Sequence, residues 1–485
     1  MYKILQDDIL KDLHNNITHL ESVSITTDLW TSRAKDSYIA FTLQFIDNNF
    51  NMKHFTADCK PFPGFHDAAA VFQKIHEVLE NLGLNDGNIS VYIVSDNGAN
   101  MVRALSEPQS RELTDIIDEF HSVIKEKSWW HIRCYNHTLQ LAISDTRKDM
   151  GVSTVIEKVS SIVARYNRSR PARESFQSFQ SEHKLPKHEL LQMVETRWDS
   201  EFIMLQRFVE QKAAIISEQG KTGIDSLTVQ EWKLIEGYVE ILRPVAIFTA
   251  DMESNTKPTL STVLPVLFEI QSSLEEFVKK APKGTGIMFA RKLLANIKSR
   301  FPNCNYKESE LYQLAMSLDP RFKDVLCGTV TDAVSLLQRK TLDKRRQHIS
   351  RGFVEISATK VNTSSSVEQL NNSNNDKWSY FNKKVKSNTI IEKDEYELIK
   401  KQVDDYLSQP TIGGNEDPLA WWKANQNIFP LLAPLARHFL GLAAKETACE
   451  RVFSVGGNIV TPKRTTILPE HVKEIVFCHD NLEFP

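Results

Sequence analysis

SVSITTDLWTSRAKDSYIAFTLQFID, residues 22–47, carries two strand-like runs separated by a polar turn. Residues 22–30 and 37–47 are dense in β-branched and aromatic side chains, which suit a pleated, half-buried surface; Asp47, Asn48 and Asn49 mark the turn that follows. NMKHFTADCK, 51–60, reads as the return strand of a hairpin, so short links join three consecutive strands in an antiparallel meander. Working outward, His66 to Leu82 has Ala69, Phe72, Ile75, Val78, Leu79 and Leu82 at helical spacing and ends at Gly83. Residues 89–94 form an almost wholly apolar run, as a strand buried on both faces requires, and Asn97 and Gly98 turn the chain into another helix. A short strand over 129–133 and helices over 135–145 and 152–166 follow. Residues 1–20 read as a short helix with Ile4, Ile9 and Leu13 as its apolar contacts.

The order β-β-β-α-β-α-β-α is the ribonuclease H-like layout, in which an antiparallel meander is extended by parallel strands with helices on the faces. In such a sheet the end of the first strand and the end of the strand after the first helix lie side by side, which brings Asp28 and Asp96 together. Beyond Thr196, Arg197 and Trp198 the chain turns helical: 202–217, 229–252, 262–280, 288–300 and 308–316 all have apolar residues at three- and four-residue spacings. No fixed-period repeat argues for a solenoid. Residues 357–377, SATKVNTSSSVEQLNNSNNDK, carry almost nothing to bury and read as a disordered linker, and 394–485 is helical again.

The chain has 485 residues, roughly three domains' worth, with 41% hydrophobic and 25% charged residues, an ordinary globular composition. No run of 18 apolar residues appears, and MYKILQDDILKDLHNN lacks the apolar segment of a signal peptide, so no membrane is expected. Six scattered cysteines do not make a disulfide framework. A net charge of −3 gives no general bias toward nucleic acid, so DNA binding would need local basic faces. Lys158, Arg165, Arg168, Arg170 and Arg173 form one candidate, and Arg339, Lys340, Lys344, Arg345, Arg346 and Arg351 another; a solvated helix face is the preferred reading of each unless a groove joins them.

The C-terminal stretch KETACERVFSVGGNIVTPKRTTILPEHVKEIVFC, 445–478, reads as a helix stopped by Gly456 and Gly457, a basic turn holding Lys463 and Arg464, and a second helix opening at Pro469. Ala444, Ala448, Val452 and Val455 make a small-residue stripe that can pack on a sheet. Taken alone, Glu446 and Glu450 are two solvated acids. Placed with Asp28 and Asp96, Glu450 completes a three-carboxylate set able to hold two Mg²⁺ or Mn²⁺ ions for in-line phosphoryl transfer, while Glu446 remains the outer carboxylate. Glu450 lies 354 residues beyond Asp96, so the core must be interrupted by a large insertion.

Five ordered blocks, TTDLWTS (26–32), VSDNGANM (94–101), RCYNH (133–137), ETRWDS (195–200) and CERVFSVGGNIV (449–460), resemble the signature blocks of hAT-superfamily DNA transposases, and especially their BED-finger-associated, domesticated relatives. The resemblance runs from about residue 22 to the end. It implies a catalytic, metal-binding triad of Asp28, Asp96 and Glu450, and Cys134 and His137 near the active site. It also implies Arg197 and Trp198 on flanking DNA, a nuclear location and a dimerisation region over 404–485. Lys463 and Arg464 suit phosphate contacts. Cys134 and His137 supply two of the four ligands of a structural zinc site, so packing or hydrogen bonding is the expectation and no zinc site is predicted. Trp198 can stack on a base or sit in a core with the same flat face. Val472, Ile475 and Val476 form a stripe that serves either an intramolecular core or a dimer seam.

The expected architecture is α+β: a helical remnant at 1–21, a ribonuclease H-like core over 22–200, an all-α insertion over 201–437, and the core's return over 438–485. The residues ahead of Asp28 contain no cysteine, and so no Cys-x-x-Cys, and a BED finger is not expected in this chain. The functional expectation is a transposase-derived DNA-binding, dimerising protein in chromatin or transcription, with an active DDE transposase as the alternative. No small-molecule substrate is expected.

Overall fold

The computed structural model describes residues 2–17, 20–32, 35–85, 87–105, 122–194, 198–223, 226–250, 252, 256–280, 285–301, 310–326, 330–350, 395–460 and 467–482. The meander is present as β1 (Ser22–Thr31), β2 (Ser37–Ile46) and β3 (Met52–Pro61), antiparallel to one another in turn. Strands β4 (Ser90–Ser95) and β5 (Trp129–Arg133) extend it in parallel, giving a mixed five-stranded sheet in the order β3-β2-β1-β4-β5. Strands β1, β3, β4 and β5 therefore all end at one edge of the sheet.

Helices α1 (Tyr2–Ile17), α2 (Ala68–Asn81) and α3 (Ala99–Leu105) cover one face, sharing a core with Val23, Ile25, Phe41, Leu43 and Ile93. Leu13 is fully buried there, but Ile4 is 66% exposed and is not an apolar contact. Likewise Ala69 faces solvent while Val71 takes its place in the core, because α2 begins two residues later than the apolar spacing suggests, capped by Asp67.

After β5 the described elements are all helical: α4 (Tyr135–Asp149), α5 (Ser153–Arg168), α6 (Arg170–Glu182), α7 (Trp198–Glu210), α8 (Lys212–Thr222), α9 (Val229–Ala250), α10 (Val263–Lys280), α11 (Thr285–Arg300), α12 (Glu310–Ser317), α13 (Val330–Ser350) and α14 (395–408). They share one large core that also reaches the opposite face of the sheet through Tyr92, Val94 and Ile132. The proposed linker 357–377 lies outside the described residues. The first basic face is in part spent on helix packing: Lys158 pairs with Glu231 and Arg165 with Glu218, while Arg170 makes an exposed pair with Glu174 on its own helix. Most of the second is spent in ion pairs too, through Arg339 and Lys340 to Glu310, Lys344 to Glu21 and Arg345 to Glu395.

A buried lysine ties the late helices together. Lys323, 1% exposed, donates to the carbonyls of Tyr406 (2.9 Å) and Gln409 (2.6 Å), capping the end of α14 while its ammonium sits over the Tyr406 ring. Next come α15 (Pro418–Asn425), α16 (Ala433–Leu440), α17 (Thr447–Ile459) and α18 (Pro469–Leu482). The last two return to the sheet. Two sequence expectations change here. Helix α17 does not stop at Gly456 but runs through it to Ile459, because a Cβ at Gly456 would lie 3.1 Å from the Trp30 ring; the glycine permits close approach of helix to strand. Val472 and Val476, each 1% exposed, are not free for a dimer seam: they pack with Tyr38, Ala40, Cys59 and Val452 inside the chain, and only Ile475, 44% exposed, faces out.

Candidate active site

The register of the two central strands places the first two carboxylates. Strands β1 and β4 pair in parallel from Ser22↔Ser90 to Thr26↔Val94, and the same offset carried two residues further sets Asp28 beside Asp96. Each acid is anchored by a backbone amide: Leu29 N–H donates to Asp28 Oδ1 at 2.7 Å, and Gly98 N–H donates to Asp96 Oδ1 at 3.0 Å. The β4 turn is braced from α4, where Asn97 Nδ2 donates to Thr138 Oγ1 at 2.9 Å and Thr138 Oγ1 donates to the Cys134 carbonyl at 2.8 Å.

Glutamate 450 arrives along a polar rail. Side chains of the sheet bind the backbone of the segment between α16 and α17: Ser22 Oγ donates to the His438 carbonyl (2.9 Å) and Gln44 Nε2 to the Gly441 carbonyl (3.1 Å), while Ala443 N–H donates to Ser24 Oγ (3.1 Å). Tyr135 N–H donates to the Ala444 carbonyl at 2.8 Å, closing the rail against α4. Helix α17 then lies on β1 and β2 through Ala448, Cys449, Val452 and Phe453. The Cys449 thiol meets Thr26 Oγ1 at 3.2 Å, two residues short of Asp28, and Phe453 stacks on Trp30 at 5.7 Å. Glu450, next to Cys449, therefore joins the edge where Asp28 and Asp96 emerge.

Glu446 is the residue that sequence reasoning missed. It is not an outer, solvated acid: it is 4% exposed, and its Oε2 has no hydrogen-bond partner among the described residues. Burial, and then the charges of Asp28, Asp96 and Glu450, hold its carboxyl well above the usual range, opposed by a hydrogen bond from Cys134. Asp28 behaves alike: burial raises it from 3.8 to about 7, with the Leu29 amide opposing and Asp96 and Glu450 adding to the rise. Cys134 sits at the start of α4, 2% exposed, its thiol pushed up by burial and by Glu446. His137, one turn into α4, supplies its backbone to that thiol. The only clue in the sequence was the four-residue spacing of Glu446 and Glu450, which fits a solvated face equally well.

Four carboxyls are thus mutual electrostatic neighbours. The donor set is all oxygen, which suits Mg²⁺ or Mn²⁺. Among the described residues, however, no three His, Cys, Asp or Glu side chains are gathered closely enough to hold an ion. Of the other expected site residues, Arg197, Lys463 and Arg464 lie outside the described residues; Trp198 opens α7, but its side chain is likewise outside the description.

A mixed five-stranded sheet with carboxyls at the ends of β1 and β4 defines a ribonuclease-like fold. Comparison with known families is specific. Residues 26–114 match the ZBED1 RNase-like domain, 132–241 the ZBED1 RNase-like helical domain, and 402–482 the hAT family C-terminal dimerisation region. The chain belongs to the hAT superfamily as a ZBED-like relative. It is 23% identical to human zinc finger BED domain-containing protein 4 over 99% of this chain and 39% of that one. It is 24% identical to a Talaromyces stipitatus protein named as a transcriptional regulator, tpeD, over 96% and 54%, and 22% identical to a Zea mays protein named as an AC transposase, over 94% and 56%. The chain thus spans about half the length of these relatives or less. No helix among the described residues is long and apolar enough to cross a membrane.

Proposed function

We propose that this chain is a hAT transposase-derived, DNA-binding and dimerising protein of the nucleus, whose core keeps the carboxyl set for metal-dependent phosphoryl transfer. The helical block between β5 and α17 is read as an insertion into a ribonuclease H-like core. Asp28, Asp96 and Glu450 would hold the divalent ions, which supply activation of the attacking oxygen and stabilisation of the leaving one. The protein's own part is to bring the three acids to one edge and to shield them from solvent. What supports this reading is the convergence of Asp28, Asp96 and Glu450 on one sheet edge from three separate elements, β1, the end of β4 and α17.

The reading predicts Mg²⁺- or Mn²⁺-dependent nicking of a DNA substrate that is lost in Asp96→Asn while the protein still folds. Nicking that survives the substitution would sink the assignment. A second reading, a non-catalytic regulator of chromatin or transcription, is favoured by the acids' not being gathered around one point. It draws on the relative named as a transcriptional regulator and on the dimerisation-region match. Under it, DNA affinity and dimer mass stay unchanged in Asp96→Asn and no nicking occurs in the parent protein.

A further inference from the structure

The loop from β3 to α2, PFPGFHDA (61–68), ends at the same sheet edge as Asp28 and Asp96 and holds one aromatic side chain in solvent. Phe65 is 92% exposed. Single exposed apolar residues are ordinary on protein surfaces; this one stands on a loop fixed at every neighbour. Phe62 is buried, and its amide donates to the Ser37 carbonyl at 2.7 Å. The His66 ring stacks on Phe62 at 4.6 Å and 10°, with its Nε2 2.7 Å from the Phe62 carbonyl. Gly64 takes φ +92°, a conformation other residues rarely adopt, and so turns the chain at Phe65. Asn100 Nδ2 donates to the His66 carbonyl at 2.6 Å, tying the loop to the first turn of α3, four residues after Asp96. The phenyl ring is therefore presented by a rigid support, with little rotational freedom in the backbone to lose on binding.

Beside the carboxyls, the edge also carries two arginines. Arg103 follows Asn100 by one helical turn on α3 and is exposed; Arg133 is exposed at the end of β5, on the same edge. Neither makes an ion pair with another described residue, in contrast to Lys158, Arg165 and Arg339, which pair with glutamates. An exposed flat aromatic tied to the first turn of α3, on an edge that also carries two exposed guanidiniums, suits a strand with stackable bases and a phosphate backbone more than an apolar protein partner.

We infer that Phe65 is a base-stacking contact for single-stranded DNA at the carboxyl edge of the sheet, with Arg103 and Arg133 as its phosphate contacts. The inference rests on the reading of this edge as a DNA site, and extends it to a residue and a strand state that the carboxyls do not determine. Full-length protein is titrated, in EDTA, into a fluorescein-labelled single-stranded oligonucleotide and into the matching duplex, and anisotropy is followed. Phe65→Ala is expected to weaken single-strand binding by roughly 5- to 150-fold, the equivalent of stacking worth 1–3 kcal/mol. Phe65→Trp retains it, and duplex binding falls less. Arg103→Gln lowers the slope of log affinity against log salt by about 0.7 for a single strand, whereas Phe65→Ala leaves the slope unchanged. A 2-aminopurine in the oligonucleotide is quenched by the parent protein and not by Phe65→Ala. Equal single-strand affinity for the parent and Phe65→Ala, with the same circular dichroism, overturns the proposal. EDTA removes the metal chemistry from the measurement, so absence of nicking would count against the proposed phosphoryl transfer and leave this binding result intact.

Discussion

Replacing Asp28 by asparagine isolates the electrostatic tension that the site has built in. The free carboxyl titrates near 3.8 and the folded one near 7, raised by burial and by Asp96 and Glu450. Between those values the folded chain keeps a proton that the unfolded chain has lost, so stability falls as pH rises through the interval and levels off above the folded value. A displacement of that size corresponds to at most about 4 kcal/mol, and loss of the charge-assisted Leu29 bond in the variant returns roughly 1 kcal/mol. Asp28→Asn in EDTA is therefore expected to equal the parent near pH 4 or fall slightly below it, and to exceed it by at most about 3 kcal/mol at pH 8. Urea unfolding at unit steps from pH 4 to 8 reads the difference directly. Adding Mg²⁺ at 100 times its dissociation constant should stabilise the parent by about 2.7 kcal/mol and the variant far less, closing the gap. A stability difference that does not change with pH in EDTA, or a parent that is the more stable at pH 8, would refute the reasoning.

Three further substitutions test the packing that delivers Glu450 and closes the fold. Gly456→Val places atoms within 3.1 Å of the Trp30 ring and should cost roughly 1–3 kcal/mol, with a change in near-ultraviolet circular dichroism as the indole moves. Val472→Asp buries a charge in the core between α18 and the sheet and should lower the melting temperature sharply, whereas Ile475→Asp should leave it nearly unchanged and shift the light-scattering mass toward monomer if the exposed side of α18 meets a second copy. Asn481→Ala removes two 3.0 Å bonds with the Thr56 backbone, one to its N–H and one to its carbonyl, and should cost about 1–3 kcal/mol by urea unfolding.

The sheet was largely legible because its signals are local. β-Branching and aromatic density mark β1 and β2, and the apolar run at 89–94 marks a strand buried on both faces; the five strands fall within a residue or two of the sequence reading. What sequence could not supply was the identity of partners far along the chain. The basic run from Lys158 to Arg173 looks like a DNA face until Glu231 and Glu218 are seen to pair with Lys158 and Arg165. Gly456 carries the same letter whether a helix ends there or an indole presses against it. The spacing of Val472 and Val476 suits a core and a dimer seam alike, and only the position of β3 and Tyr38 decides between them. Glu446 is the strongest case: its burial depends on Cys134 and on the acids at the ends of β1 and β4, all more than 300 residues away in sequence.

That distance raises the question of how a site can afford to be completed from the far end of the chain. Closing a flexible loop costs free energy that grows only with the logarithm of its length, about 5 kcal/mol for the 354 residues from Asp96 to Glu450, excluding the constant for closure, and about 4 kcal/mol for the 68 from Asp28 to Asp96. The extra separation therefore costs roughly 1.5 kcal/mol, comparable to one or two buried hydrogen bonds. The rail from His438 to Ala444 makes four such bonds with Ser22, Gln44, Ser24 and Tyr135 before α17 even reaches Trp30. A helical block of any length can accordingly separate Asp96 from Glu450 at small thermodynamic cost, provided the rail is kept. The rail, more than the size of the block, governs whether the third element of the site arrives in register. Loss of Ser24 or Gln44 should consequently loosen α17 and its glutamates together, while changes inside the helical block leave the carboxyl edge in place.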